Sequence, residues 1–217
     1  GNKIKKSMSI YFDYESVTEQ RRRNLPHWDQ DGVIYFVTFR LWDSIPNNAI
    51  EEITQERIEW RLINKIESET DLRTINFELK KEYYKLFSER IDKLLDNGFG
   101  SCILNKPSNS LIIQNALEYF DSDRYRLGNW VIMPNHIHIL VKPLKIWSLS
   151  EITHSWKSYT ANKLNLLLGR KGQLWMHESF DHIVRSSDQL QRIQKYIIDN
   201  PKGLPNSHYR IFVNSLV

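Results

Sequence analysis

The chain has 217 residues, 41% of them hydrophobic and 26% charged, with a net charge of +4 and a pI near 9.0. That fits one globular domain, with or without an appended arm, and is enough chain to bury a real core. The one cysteine, Cys102, excludes an internal disulfide, and no apolar run approaches a membrane span, so a cytoplasmic protein is expected. Charge is unevenly spread. Residues 141–217 hold 11 Lys/Arg against 5 Asp/Glu, a net of +6, which leaves −2 for the first 140. The basic share therefore follows the middle of the chain, where a nucleic-acid backbone could run. Seven Trp, ten Tyr and nine Phe supply core and, in part, candidate stacking surfaces.

Residues 1–30 are polar and irregular. Arg21-Arg22-Arg23-Asn24-Leu25-Pro26-His27-Trp28 forms a basic–aromatic lead-in, either a clamp on a phosphate backbone or an ordinary tethered terminus. Val33 to Leu41 is dense in β-branched and aromatic residues and apolar nearly throughout, which predicts a central strand covered on both faces. Residues 47–97 predict helices. Asn47 or Asn48 is the expected cap of the first, with Glu51 and Glu52 in its opening turn and a stripe of Ile53, Trp60, Ile63 and Ile66. The second, Thr74 to Leu95, has the stripe Phe77, Leu79, Tyr83, Leu86, Ile91, Leu94 and Leu95, and Gly98 and Gly100 end it. Residues 51–100 hold 12 acids and 9 bases, which argues against a main nucleic-acid face.

Ser108 to Phe120 is an amphipathic helix, and Arg124 to Met133 a strand. Pro134-Asn135 connects it tightly to His136-Ile137-His138-Ile139-Leu140-Val141, whose period-two alternation predicts a strand ending near Pro143. His136 and His138 then share one face, and Ile137 and Ile139 the other. Two imidazoles so placed can hold one metal ion, or can be plain surface residues. Leu149 to Leu168 is the next helix, capped by Ser148 or Ser150 and ended by Gly169. Phe180 to Arg185 is a strand. The last helix runs from Ser187, its expected cap, to Pro201, which stops it. Tyr196 and Asn200 share a face of that helix, although the residue before a proline is biased out of the α region. Residues 203–217 are expected to pack on the domain as a tail.

Met133-Pro134-Asn135-His136-Ile137-His138, the helix segment Trp156 to Asn162, the order Trp175, Phe180-Asp181-His182, Arg185, and the ending Tyr196-x-x-x-Asn200-Pro201 resemble the single-tyrosine histidine–hydrophobe–histidine transposases. Among those they look most like the REP-associated tyrosine transposases. The likeness covers about residues 20–205, with Met176 standing where the family usually has Gln. It implies an α/β (α+β) fold: a ferredoxin-like sandwich on a central antiparallel sheet. Residues 1–217 would form a single such domain, with a helical insertion at about 47–98 and a tail from about 203 to 217.

The resemblance makes Tyr196 the catalytic nucleophile. His136, His138 and Asn200 would be ligands of Mg²⁺ or Mn²⁺, with Glu178, Asp181 and His182 as weaker candidates for the third place. Lys157, Lys163, Arg185, Arg22 and Arg23 are candidate DNA-binding residues. The implied activity is cleavage and rejoining of single-stranded, hairpin-forming DNA through a 5′-phosphotyrosine, in DNA transposition. Monomer and homodimer both stay open. Three other readings stand beside it: a domesticated hairpin-binding protein that does not cut, a zinc hydrolase using His136, His138 and a third histidine such as His182, and a replication-initiator or relaxase nuclease.

Overall fold

The computed structural model describes residues 19–21, 27–29, 32–66, 76–144, 146–177 and 179–216. Arg22, Arg23 and Glu178 lie outside these. A short antiparallel ribbon, β1 (Glu19–Arg21) and β2 (His27–Asp29), precedes the main sheet. Then follow β3 (Tyr35–Arg40), helices α1 (Asn47–Ile63), α2 (Phe77–Asp96) and α3 (Pro107–Glu118), strands β4 (Tyr125–Ile132) and β5 (His136–Pro143), α4 (Leu149–Leu167), β6 (Phe180–Ile183), α5 (Ser187–Asp199) and β7 (Arg210–Phe212).

The five-stranded sheet has the order β6-β3-β5-β4-β7, and every pairing is antiparallel. Without the β1–β2 ribbon, the α1–α2 hairpin, α5 and β7, the order is strand, helix, two strands, helix, strand. That is the ferredoxin-like arrangement. β3, β5 and β4 are the inner strands, and β3 is buried along its whole length, as the nearly continuous apolar run of 33–41 predicts.

Alternation sorts the two faces. Tyr35, Val37 and Phe39 of β3, with Ile137, Ile139 and Val141 of β5, join the larger core under α3 and α4, where Ile113, Leu117, Trp156 and Leu164 meet them. Ile34, Phe36, Val131 and Leu140 form a smaller core on the other face, covered by Leu190 and Ile197 of α5. His136 and His138 belong to that second face by alternation, so α5 lies over them. A β-bulge between Leu127 and Trp130 shifts the parity of β4. At Gly128 a β-carbon would run into Leu216 of the tail and Leu140, so the glycine makes room for the tail. That tail does more than pack: β7 adds an edge strand to β4, and Asn214 bonds Asn129 and Leu127.

The α1–α2 hairpin is an addition with its own apolar cluster of Ile53, Ile66, Tyr83 and Phe87. Arg90 pairs with Glu52 and Glu56, and Arg57 donates to the Tyr83 hydroxyl, which ties the two helices together. Ile63 and Leu86, expected in the stripes, are 80% and 48% exposed, because the helices bury only the sides that face each other. Helix starts also differ from expectation. Pro46, not an Asn, precedes α1, whose first turn holds no acid. Asn76 caps α2 through Leu79 N–H. Proline opens α3 at Pro107. Ser186 rather than Ser187 caps α5. Ser148 caps α4 in a full capping box with Glu151.

Candidate active site

The site begins with the tight connection before β5. Asn135 donates through Nδ2 to the carbonyls of Leu95 (3.3 Å) and Phe99 (3.0 Å), which fixes which end of its amide is oxygen. That oxygen lies 2.7 Å from His136 Nδ1. A carbonyl oxygen only accepts, so His136 carries its proton on Nδ1 and keeps a lone pair on Nε2. His136 is fully buried, and its Nε2 has no hydrogen-bond partner. His138, equally buried, meets the Thr38 hydroxyl at Nδ1 (2.7 Å) and the Tyr196 hydroxyl at Nε2 (3.2 Å). The two imidazole centroids are 4.7 Å apart. Phe36 stacks on His138 (5.4 Å) and sets its edge against Tyr196 (6.1 Å), which holds both rings.

Tyr196 and Asn200 come from the last turns of α5. Asn200 keeps αR geometry despite Pro201, and its N–H bonds the Tyr196 carbonyl at 2.8 Å. The helix therefore continues through Asn200, and the expected departure from the α region does not occur. Asn200 Nδ2 donates to Asp96 Oδ1 (3.3 Å), while Asn200 Oδ1 is buried without a partner. Asp96, the last residue of α2, also stands 3.9 Å from His136 Nε2.

Electrostatics follow from burial. Desolvation lowers His136 from 6.5 to about 3. It also drives His138 well below its usual value, with His136 and His182 adding repulsion. The Tyr196 phenol is pushed well above 10 by burial first and then by Asp92 and Asp96, with Asn200 opposing. Burial, Asp96 and Glu89 raise Asp92 to about 7. The site as it stands holds neutral imidazoles and a neutral phenol.

The other expected residues fall in different places. His182 lies on the histidine face, its ring 5.5 Å from Phe36, across the β3–β6 pairing. Asp181 pairs with Val37 and so belongs to the opposite face, which removes it as a ligand. Lys157 donates to the carbonyls of Met176 (2.7 Å) and His177 (2.9 Å) and to Ser179 (3.2 Å), so its ammonium holds the turn before β6 rather than an open surface. Lys163 is exposed, 5.8 Å from the Tyr159 ring, and Arg185 is exposed just after β6. Trp175 is core: its ring meets Phe39 and its N–H reaches Thr160. Sequence reasoning missed Thr38, Phe36 and Asp96. Their roles come from strand register and from the hairpin's docking, and no local pattern signals either.

The ferredoxin-like sheet thus presents His136 and His138 on an inner strand to Tyr196 on the covering helix. Residues 102–200 match the family model described as "Transposase IS200 like", and this stretch contains His136, His138, Tyr196 and Asn200. Over that stretch the chain is similar to the IS200-like transposases. The chain is also similar to a solved structure described as a REP-associated tyrosine transposase bound to a REP hairpin. The identity is 16%, with a TM-score of 0.43 over 85% of this chain and 73% of that one, a likeness too distant to carry argument. No curated protein matches the sequence. No helix among the described residues is long and apolar enough to cross a membrane.

The residues fit the divalent metal that such a family implies. His136 Nε2 and Asn200 Oδ1 are buried and unpartnered, and His138 Nε2 meets only a phenol. Among the described residues no three His, Cys, Asp or Glu side chains form a metal cluster, so the all-histidine zinc set expected as an alternative has no counterpart there. Two imidazoles and an amide oxygen would leave positions for water and phosphate oxygens.

Proposed function

We propose that the protein cuts and rejoins single-stranded DNA beside a hairpin, with Tyr196 as nucleophile and a divalent metal held by His136, His138 and Asn200. The observation that carries this reading is convergence. The Tyr196 hydroxyl lies 3.2 Å from His138 Nε2, beside the two buried and unsatisfied atoms His136 Nε2 and Asn200 Oδ1. Leaving two such atoms unpaired costs about 1–3 kcal/mol each, which is unusual unless a ligand takes them.

Tyr196 Oη would attack the scissile phosphorus. The new bond is phosphotyrosine; the broken one is P–O3′, whose oxygen takes a proton as the 3′-hydroxyl leaves. Attack by a 3′-hydroxyl reverses the step and joins a strand with no external energy, because the phosphotyrosine conserves the diester bond. Burial and the carboxylates Asp92 and Asp96 oppose a phenolate at Tyr196. When bound, the metal would supply positive charge that offsets this and polarises the phosphate. The chain's own residues hold the geometry: Asn135 and Thr38 set the imidazoles, Phe36 sets the phenol ring, and the unbroken helix through Asn200 fixes the spacing of nucleophile and ligand. The likeness to the IS200-like transposases and the excess of basic residues after residue 141 suit a folded palindrome as substrate.

The test is incubation with labelled hairpin oligonucleotides from around the protein's own gene, with Mg²⁺ or with EDTA, on a denaturing gel. Metal-dependent cleavage that Tyr196→Phe abolishes is expected. Hairpin binding with no cleavage in the parent protein overturns the reading in favour of a non-cutting binder. Cleavage that survives Tyr196→Phe overturns it in favour of activated water.

A further inference from the structure

The α1–α2 hairpin is not a bystander to this site. Its second helix ends on Asp96, and Asp96 Oδ1 accepts from Asn200 Nδ2 at 3.3 Å while standing 3.9 Å from His136 Nε2. A carboxamide is planar, so holding its nitrogen fixes where its oxygen points. The oxygen so fixed, Asn200 Oδ1, is buried and has no partner, as is His136 Nε2 beside the same carboxylate. The hairpin is anchored there by Asn135, which donates to Leu95 and Phe99 at the hairpin's end and accepts from His136. One residue thus couples the hairpin to the histidine strand.

Charge gives the arrangement a purpose. His136, His138 and Asn200 are neutral donors, so a dication among them must draw its countercharge from neighbouring carboxylates or from the DNA. Asp96 brings a carboxylate to within reach, and the C-terminal end of α2 adds the negative end of its dipole. We infer that Asp96 is a positioning residue for the divalent cation: it orients Asn200 and brings negative charge close to His136, which makes the inserted hairpin part of the metal site. This rests on the metal reading above.

The experiment is Mn²⁺ titration of the full chain without DNA, read by the electron paramagnetic resonance of free Mn²⁺. Asp96→Ala removes both acceptor and charge, and Asp96→Asn keeps an acceptor for Asn200 but loses the charge. Asp96→Glu keeps the charge and serves if the alanine variant unfolds. Asp199→Asn, which removes a carboxylate held by Lys195 and Lys202, is the charge control. Affinity is expected to fall about ten-fold or more in Asp96→Ala, as is usual when a ligand's supporting partner is removed. Asp96→Asn is expected between that and the parent, and Asp199→Asn equal to the parent. Equal binding by the parent and every Asp96 variant overturns the inference and leaves the metal reading intact. A parent that takes up no more Mn²⁺ than His136→Ala overturns the metal reading, and this inference falls with it.

Discussion

His136 shows how one side chain links folding to function. Its imidazole must be neutral to offer a lone pair, and burial keeps it so by lowering its pKa from 6.5 to about 3. The unfolded chain protonates this histidine below about 6.5, and the folded chain does not until about 3. Between those values the unfolded state binds more protons, so stability falls as the pH is lowered through the window. His138 and His182 shift in the same direction. The expected outcome is a melting temperature that drops from neutral pH toward the acid end of that window, with a shallower drop in His136→Gln. Equal slopes for variant and parent in a thermal-melt series across pH contradict this account of the buried imidazole. The histidine pair was legible in the sequence because period-two alternation puts both rings on one face. The same alternation, carried across the β3–β5 and β3–β6 registers, is what excludes Asp181, and register is invisible without the paired strand.

At the scale of elements, α4 separates two lysines that sequence reasoning treated alike. Lys157 has three acceptors within 3.2 Å on the turn before β6, whereas Lys163 is exposed. Lys163→Ala is expected to reduce the slope of log affinity against log salt by roughly 0.7–0.9, the change when one phosphate is no longer neutralised, with the melting temperature unchanged. Lys157→Ala is expected to lower the melting temperature by releasing Met176, His177 and Ser179. Paired salt-titration and melting measurements decide, and the reverse pattern contradicts the assignment. Most elements were legible because their period and caps were strong, as with α4 and its Ser148–Glu151 box. Helix faces in the hairpin were not. Trp60 and Tyr83 pack against each other while Ile63 and Leu86 stay outside, since two helices lying against one another bury a narrower stripe than a helix on a sheet does. The tail's role as an edge strand was equally hidden: Arg210–Phe212 is too short to announce itself, and β4 supplies the pairing. The joint after α2 depends on Gly100, whose positive φ of 86° and closeness to the Asp43 backbone leave no space for a β-carbon.

For the whole molecule, the candidate site is complete within one chain. The Tyr196 hydroxyl of α5 reaches His138 of β5 directly, and α5 packs its Leu190 and Ile197 on the same sheet face. The proposed nucleophile and ligands are therefore expected to act in cis. Mixing Tyr196→Phe with His136→Ala protein is expected to give no DNA cleavage. Restored cleavage in the mixture means that tyrosine helices are exchanged between copies. The ferredoxin-like order was legible from strand and helix succession, but the hairpin's meeting with the site was not. Asp96 and Asn200 are far apart in the chain, and only the folded sheet brings them to 3.3 Å. The most direct test of the central claim is mass-spectrometric peptide mapping after incubation with a hairpin oligonucleotide and Mn²⁺. A 5′-phosphonucleotide attached to the peptide that contains Tyr196 is the predicted result. Cleaved DNA with a free 5′-phosphate and no adduct, or an adduct on any other residue, contradicts it.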